Sequence, residues 1–162
     1  MSKVINPLKP IYNEFSKILI LGSMPSITSR ELNFYYSHPQ NRFWKIIENI
    51  FNEKIADKKE FLLRNNIAMW DPIKSCDIKA SSDVSIKSII VNDINSIVKK
   101  SNIKHIFCAG SKSYEIYNKY LYHRVKIKAI KLPSTSSANA KYSLDDLIKE
   151  YKIIKEVLNN KN

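Results

Sequence analysis

The 162-residue chain is 44% hydrophobic, which excludes a disordered chain and provides enough apolar residues for a sizeable core. Its formal net charge of +12 indicates an anionic partner, most simply nucleic acid; the alternative is a Lys content that reflects the base composition of the gene. No apolar run reaches the length of a membrane span and the first residues lack a signal peptide, so we expect a cytoplasmic protein with no membrane partner. The length fits one domain over residues 1–162, which we expect to be a monomer.

Four short apolar runs predict buried parallel strands in chain order. Gly22 and Gly110 each follow one run directly, and a proline stops each of the other two. The runs cover residues 17–22, 67–72, 105–110 and 125–133.

Between these runs, apolar residues recur at helical spacing. The clearest patterns predict helices over 43–51, 86–97 and 144–158, with shorter candidates over 58–66 and 111–121. Strands that alternate with helices predict an α/β fold, a three-layer α/β/α sandwich around a central four-stranded parallel sheet.

The segments that follow the strands are the expected place for a ligand, because ligands of such folds bind at the carboxyl ends of the strands. These segments are 22–40, 71–83, 110–112 and 132–142. The first is the longest, and it leads into "YYSHPQNRFW" (35–44), which crowds aromatic rings, amides, a histidine and a guanidinium into one stretch. A loop of that length in a compact domain is more often functional than accidental.

Neither cysteine indicates a metal or redox site. Cys76 and Cys108 lie far apart and match no ligand spacing, so we expect two buried, reduced thiols and no metal.

Two polar segments follow strands and contain residues suited to chemistry. "GSMPS" (22–26) lacks the glycines of a phosphate-binding loop, and a plain turn is the alternative. "LPSTSSANA" (132–140) offers hydroxyl and backbone donors suited to phosphate, and a polar loop without a ligand is the alternative.

Taken together, the chain from about 17 to 158 resembles the uracil-DNA glycosylase superfamily. The residues that carry the resemblance are "GSMPS" (22–26), "FYYSHPQNRFW" (34–44), "AMWDPIKSCDIKASSDVSIKSI" (68–89) and "LPSTSSANA" (132–140). In combination they look closest to the hypoxanthine-DNA glycosylase branch, and "HPQNRFW" is similar to the mismatch-specific uracil glycosylases.

The resemblance implies an enzyme that flips a damaged base out of DNA before cutting it, without a cofactor. Tyr36 matches the aromatic residue that stacks on the base, although a core or surface tyrosine is the alternative. The remaining base-binding positions that it implies are Ser23, Met24, His38 and Asp71, and the DNA-binding positions are Ser26, Arg42, Ser134, Thr135, Ser136 and Ser137.

Asn41 is the implied catalytic residue. Many relatives hold the attacking water with Asp or Asn in the first loop, but Met24 stands at that position here. The hypoxanthine branch also lacks a polar group there and relies on the asparagine that corresponds to Asn41. An amide can accept from water and donate to a developing negative charge. The alternative is that Asn41 only caps the helix that begins next to it.

Other positions depart from the family or have structural alternatives. Leu132 replaces a histidine found in several relatives, and Ser136 stands near the leucine that many relatives insert into the duplex. His38 could serve only to fix its loop, and Asp71 only to order the turn before Pro72. As a carboxylate, Asp71 would accept from N1–H of hypoxanthine, which adenine lacks, but uracil also offers a ring N–H.

The predicted function is a monofunctional DNA glycosylase of base excision repair. It removes a deaminated base, most simply hypoxanthine, and leaves an abasic site. Its expected partner is DNA that contains the damaged base. The alternatives are a glycosylase for uracil or mismatched bases and a DNA-binding relative without activity, since Met24 and Leu132 lack the usual chemistry.

Overall fold

The computed structural model describes residues 2–160. The strands are β1 (Ser2–Ile5), β2 (Ile18–Leu21), β3 (Ile67–Trp70), β4 (Ile73–Ile78), β5 (Lys87–Val91), β6 (His105–Ala109) and β7 (Ala129–Leu132). The helices are α1 (Ile27–Leu32), α2 (Phe43–Phe51), α3 (Lys58–Arg64), α4 (Ile94–Lys99), α5 (Ser111–Ile116), α6 (Tyr122–Val125) and α7 (Leu144–Asn159), with a 3₁₀ turn at Asp83–Ser85 and a π-helical turn at Tyr117–Leu121.

The central sheet has four parallel strands in the order β3-β2-β6-β7, as predicted. Ile18 of β2 pairs with Ile67 on one side and with His105 on the other, so β2 lies in the middle of the sheet. All four residues of β2 are buried, which agrees with an unbroken apolar run rather than an alternating one.

The two faces of this sheet form separate hydrophobic clusters because side chains alternate along each strand. Ile18, Ile20 and Met69 pack on one face with residues of α2, α3 and α7. Leu19 and Cys108 pack on the other face with residues of α4 and the 117–125 segment. Helices therefore cover both faces, and the predicted three-layer α/β/α sandwich is confirmed.

A second sheet was not predicted. Strands β1, β4 and β5 form an antiparallel sheet in the order β1-β4-β5, with Val4 opposite Cys76 and Asp77 opposite Lys87. Its hydrophobic cluster includes Ile73, Ile78 and Ile86.

This sheet corrects the helix predicted over 86–97. Residues 87–91 form β5, and the helix begins only at Ile94, where the Asp93 side chain accepts a hydrogen bond from Ser96 N. Isoleucines at positions 86, 89 and 90 satisfy a helical spacing, but β-branched residues also favour strands, and pairing with β4 decides between the two.

Three boundaries also differ from the prediction. The loop predicted over 22–40 contains α1, which the Ser26 side chain caps by accepting from Ser29 N. Within 71–83, residues 73–78 form β4, and the strand predicted over 125–133 is limited to Ala129–Leu132. Cys76 and Cys108 are both buried, as expected. No helix within residues 2–160 combines the length and the apolar character needed to cross a membrane.

Candidate active site

A cleft of about 330 Å³ lies at the carboxyl ends of the parallel strands. The segments that follow β2, β3, β6 and β7, together with the tip of the β4–β5 hairpin, supply its lining. It brings together nearly all of the predicted site residues: Ser23, Met24, Ser26, Tyr36, His38, Asn41, Asp71, Ser134, Thr135, Ser136 and Ser137.

The aromatic stretch before α2 is ordered by packing and by hydrogen bonds to the backbone. Tyr35 donates its hydroxyl to Lys9 O at 2.6 Å, and Trp44 Nε1 donates to Tyr35 O at 3.0 Å. Tyr36 has a left-handed backbone (φ 53°), and its ring stacks on Phe43 with centroids 4.2 Å apart and planes 14° apart. One face of the Tyr36 ring is thus supported from below by the core.

The side chain of Asn41 is held through its oxygen. Oδ1 accepts from Phe43 N at 2.8 Å and from Thr135 Oγ1 at 2.9 Å. A backbone N–H can only donate, so the amide must turn its oxygen toward α2 and its nitrogen away. The N-cap residue of α2 is Arg42, and Asn41, one residue earlier, satisfies the first N–H of the helix. Nothing within residues 2–160 accepts a hydrogen bond from Asn41 Nδ2, so this helix contact uses only one of its two polar atoms.

Asp71 lies at the bottom of the cleft and is 4% exposed. Burial, and to a smaller extent the nearby Asp83 carboxylate, raise the pKa of Asp71 to about 7, against the lowering effect of hydrogen bonds from Asn6 and Gly22. Asn6 Nδ2 donates to Asp71 Oδ2 at 3.0 Å. The turn before Pro72 is held by the main chain of Asp71 and not by its carboxyl group, because Asn92 Nδ2 donates to Asp71 O at 2.9 Å.

Gly22 allows the floor of the cleft to close tightly. A Cβ atom at this position would lie 2.6 Å from Asp71 Oδ1 and 3.4 Å from Tyr36 Oη, so a side chain there would displace one of these groups. The Tyr36 hydroxyl is buried and has no hydrogen-bond partner within the described part of the chain. Burial, followed by the Asp71 charge, raises its pKa, so it stays protonated and available as a donor at the cleft.

His38 and Met24 both line the cleft, but each also has a structural contact. His38 Nδ1 accepts from Gln40 N at 3.1 Å, which is the loop-fixing role left open by the sequence. Met24 is 7% exposed and packs in the cluster of the antiparallel sheet.

Arg42, which was predicted to bind a phosphate, makes its hydrogen bonds within the protein. Its guanidinium does not line the cleft, and its donors point to backbone carbonyl groups of the 132–142 loop: Thr135, Ser136, Asn139 and Tyr142, at 2.6–3.4 Å. A planar guanidinium can reach several carbonyls at once because its donors form a rigid fork. Arg42 therefore holds the loop that carries the Ser134–Ser137 hydroxyls in place, and its role in binding DNA stays a prediction.

Sequence reasoning missed Asp83, Ser81 and Ser29, all of which line the cleft. Ser23 Oγ donates to Asp83 Oδ1 at 2.9 Å, and Ile27 N donates to Ser81 Oγ at 3.0 Å, so the hairpin tip is attached to the first loop. Asp83 belongs to the 71–83 segment already identified, but no local pattern indicates that its side chain points into the site.

The lining described here contains two carboxylates, Asp71 and Asp83, and no Lys or Arg. The net charge of +12 is therefore carried by other surfaces. Such an arrangement can receive an uncharged ligand with N–H donors, while hydroxyl and backbone donors at the rim are available to anions.

Comparison with known proteins gives a consistent result. The family model of the uracil DNA glycosylase superfamily matches residues 10–159. The chain is 34% identical over 139 residues to a hypoxanthine DNA glycosylase from Methanosarcina barkeri, covering 80% of this chain and 85% of that protein. It is 29% identical over 141 residues to a hypoxanthine DNA glycosylase from Methanosarcina acetivorans, covering 82% and 87%. The solution NMR structure of a candidate uracil DNA glycosylase from Methanosarcina acetivorans has a TM-score of 0.80 and 28% identity, covering 97% of this chain and all of that one.

The position of Arg42 leads to a stability prediction. Arg42→Gln removes the hydrogen bonds to four carbonyls of the 132–142 loop and should lower the free energy of unfolding by about 2–3 kcal/mol in urea denaturation. The slope of log affinity for DNA against log salt should equal that of the wild type. Lys141→Gln removes the same charge from an exposed position of the same loop and should change stability by less than about 0.5 kcal/mol. If the salt dependence of Arg42→Gln alone were lower by about one unit of slope, the result would show that Arg42 contacts a phosphate.

The raised pKa of Asp71 leads to a pH prediction. The folded protein holds a proton on Asp71 up to about pH 7, whereas the unfolded chain releases it near 3.8. Between these values the folded state binds more protons, so this group makes stability fall as pH rises. Asn cannot titrate, so the free energy of unfolding of Asp71→Asn minus that of the wild type should increase from pH 4 to pH 7, by on the order of 1 kcal/mol per pH unit. A constant difference measured by urea denaturation across this range would refute the raised pKa.

Proposed function

The chain belongs to the uracil DNA glycosylase superfamily, and on that premise we propose that it is a monofunctional DNA glycosylase that hydrolyses a deaminated base, hypoxanthine first, from DNA. The observation that carries the proposal is one cleft in which Tyr36, the free amide nitrogen of Asn41 and the carboxyl group of Asp71 meet. Both curated relatives named above are hypoxanthine DNA glycosylases, which favours hypoxanthine over uracil or a mismatched base.

Substrate access requires the base to leave the duplex. A cleft of about 330 Å³ is near the small end of ligand sites, which suits a single extruded base. Extrusion costs a few kcal/mol, and it costs least for mismatched or damaged bases. Stacking on an aromatic ring offsets part of this cost, and Tyr36, supported by Phe43, is the ring available in the cleft.

Recognition of the base falls to Asp71. A carboxylate at the floor accepts a hydrogen bond from N1–H of hypoxanthine, and adenine offers a bare N1 acceptor at that place. The proposed discrimination against adenine is weaker at pH values below about 7, because a protonated Asp71 can donate to adenine N1. Since uracil also has a ring N–H, Asp71 does not separate hypoxanthine from uracil. Ser23, Met24 and His38 complete the proposed base-binding wall.

The proposed chemical role of Asn41 is donation to the leaving base. Cleavage passes through an oxocarbenium-like state in which negative charge develops on the base. Oδ1 is already occupied by Phe43 N and Thr135 Oγ1, which favours the donor role of Nδ2 over the alternative of holding water. A donor fixed in advance stabilises the developing charge without reorganisation.

Contacts to the DNA backbone are assigned to the rim. Ser26, Ser134, Ser136 and Ser137 supply hydroxyl donors near the phosphates, with surface lysines providing the long-range attraction. Thr135 belongs to the same rim segment, but its hydroxyl donates to Asn41. Because no Lys of the described chain lines the cleft, a covalent attack on C1′ is not part of the proposal and the product is an intact strand with an abasic site.

The second candidate, a DNA-binding relative without activity, is favoured by one observation. Met24 and Leu132, which replace polar residues of other family members, are 7% and 3% exposed and sit in hydrophobic clusters. An activity assay separates the two candidates.

The assay uses duplexes that contain inosine, uracil or xanthosine opposite each normal base. We expect base release from inosine-containing DNA, with strand breakage only after alkali treatment. Breakage without alkali would refute the monofunctional mechanism, preferential release of uracil would support the alternative substrate, and binding without release of any base would support the inactive relative.

The role of Asn41 is tested by Asn41→Asp. An aspartate keeps an oxygen for Phe43 N and Thr135 Oγ1 but loses the donor and adds a charge that repels the leaving base. We expect near-normal stability and substrate affinity, with a single-turnover rate lower by about 10²–10³-fold.

The matched control is Gln40→Glu, which makes the same amide-to-acid change one residue away at an exposed position outside the cleft. Its rate should stay near that of the wild type. A normal rate in Asn41→Asp, or an equal loss in both variants, would leave Asn41 as a helix cap only.

A further inference from the structure

The groups assigned so far leave the attacking water without a base. Met24, at the position where many family members hold this water, is buried among apolar side chains. The oxygen of Asn41 already accepts two hydrogen bonds. The hydrolysis still requires an acceptor that positions a water next to C1′ and takes its proton.

Asp83 is a carboxylate that no step above uses. It begins the 3₁₀ turn at the tip of the β4–β5 hairpin, and it lines the cleft. Ser23 Oγ donates to its Oδ1 at 2.9 Å, which turns the carboxylate toward the first loop. Nothing within residues 2–160 donates to Oδ2.

The hairpin tip is rigid enough to hold such a group. Ser85 Oγ accepts from Lys79 N at 2.8 Å and donates to Ser82 O at 2.7 Å, which closes the tip on itself. Ile27 N donates to Ser81 Oγ at 3.0 Å and ties the tip to α1. A functional carboxylate needs this kind of support, because the water must be held within a narrow geometry.

Asp71 and Asp83 differ in how deeply they lie in the cleft, and this difference assigns them to different parts of the nucleotide. Asp71 is 4% exposed, whereas Asp83 is an exposed residue, so Asp71 lies deeper in the cleft than Asp83. A flipped nucleotide enters with the base first and the sugar behind it. The base edge therefore meets Asp71, and C1′ stays near the mouth, on the side of Asp83.

We propose that Asp83 is the catalytic base of this enzyme, which binds the attacking water through its free oxygen while Ser23 fixes the other; this inference rests on the proposed glycosylase function. The water oxygen forms a bond to C1′ and its proton passes to Asp83. The bond from C1′ to the base nitrogen breaks, and its electron pair leaves with the base, whose negative charge meets Asn41 Nδ2. The base then takes a proton from solvent and Asp83 releases its proton to solvent, so the carboxylate is restored and the net reaction is hydrolysis.

The electrostatic surroundings of Asp83 agree with this role. Partial burial raises its pKa, while the hydrogen bond from Ser23 and the positive charge of Lys112 lower it. A somewhat raised pKa makes a carboxylate a better base. The other titratable groups facing it or sharing its cleft are Asp71, Tyr35, Tyr36, Cys76 and His38.

The first test compares Asp83→Asn and Asp83→Ala with the wild type in single-turnover cleavage of inosine-containing duplex. Asparagine can keep the hydrogen bond from Ser23 but cannot take a proton. We expect the rate per folded molecule to fall by about 10²–10⁴-fold, with DNA affinity unchanged or slightly higher. Glu31→Gln removes one negative charge at an exposed position of α1 outside the cleft and should retain the wild-type rate.

The second test is the pH profile of Ser23→Ala. This change removes a hydrogen bond that lowers the pKa of Asp83, so the basic form is lost at a higher pH and the acid limb of the rate profile should move upward. Ser23 donates to Asp83 and not to Asp71, so a shift reports on Asp83. A merely structural contact would change the rate without moving the limb.

The outcomes distinguish this inference from the proposed function. A wild type that releases no base from inosine-, uracil- or xanthosine-containing DNA overturns both. A wild type that is active, with Asp83→Asn equally fast, overturns the role of Asp83 alone, as does an unchanged acid limb in Ser23→Ala. A slow Asp83→Asn together with a normal Glu31→Gln and a shifted limb in Ser23→Ala supports it.

Discussion

Burial of both faces of the parallel sheet is the constraint on which the rest of this structure depends. The four residues of β2 are 0% exposed, and a strand buried in this way has no place for an unpaired polar side chain. In β2, polar side chains can therefore begin only where the strand ends. Gly22 follows β2, Asp71 follows β3, Gly110 follows β6 and Pro133 follows β7, so one edge of the sheet collects the whole site.

The loops at that edge are then fixed to one another by polar side chains rather than by a further apolar core. Arg42 holds the 132–142 loop through four carbonyls, Asn41 is tied to Thr135, and Ser23 is tied to Asp83. The bonds of Arg42 and Asn41 satisfy partly buried polar groups, whereas the bond between Ser23 and Asp83 is exposed. Among the described residues, these bonds leave Asn41 Nδ2 and Asp83 Oδ2 free for a ligand.

Charge is separated between the surface and the site. The chain has a net charge of +12, but the ionised groups of the described cleft are acidic. A polyanion is attracted to the outer surface, whereas an uncharged base, with its N–H donors, is suited to the interior. Burial keeps Asp71 partly protonated near neutral pH, which limits the repulsion between it and Asp83. The proposed base extrusion would move the substrate from the first environment into the second.

The sequence by itself determined the four parallel strands, most of the helices and the segments that line the cleft, because strand and helix periodicity record which side chains face a core. It did not determine the antiparallel sheet, since isoleucines at 86, 89 and 90 suit a helix or a strand until β4 lies beside them. The direction of the Asn41 amide, the inward side chain of Asp83 and the internal role of Arg42 were decided by tertiary structure alone. These depend on contacts such as 41–135 and 23–83, between residues 94 and 60 positions apart, which packing creates and local patterns do not encode.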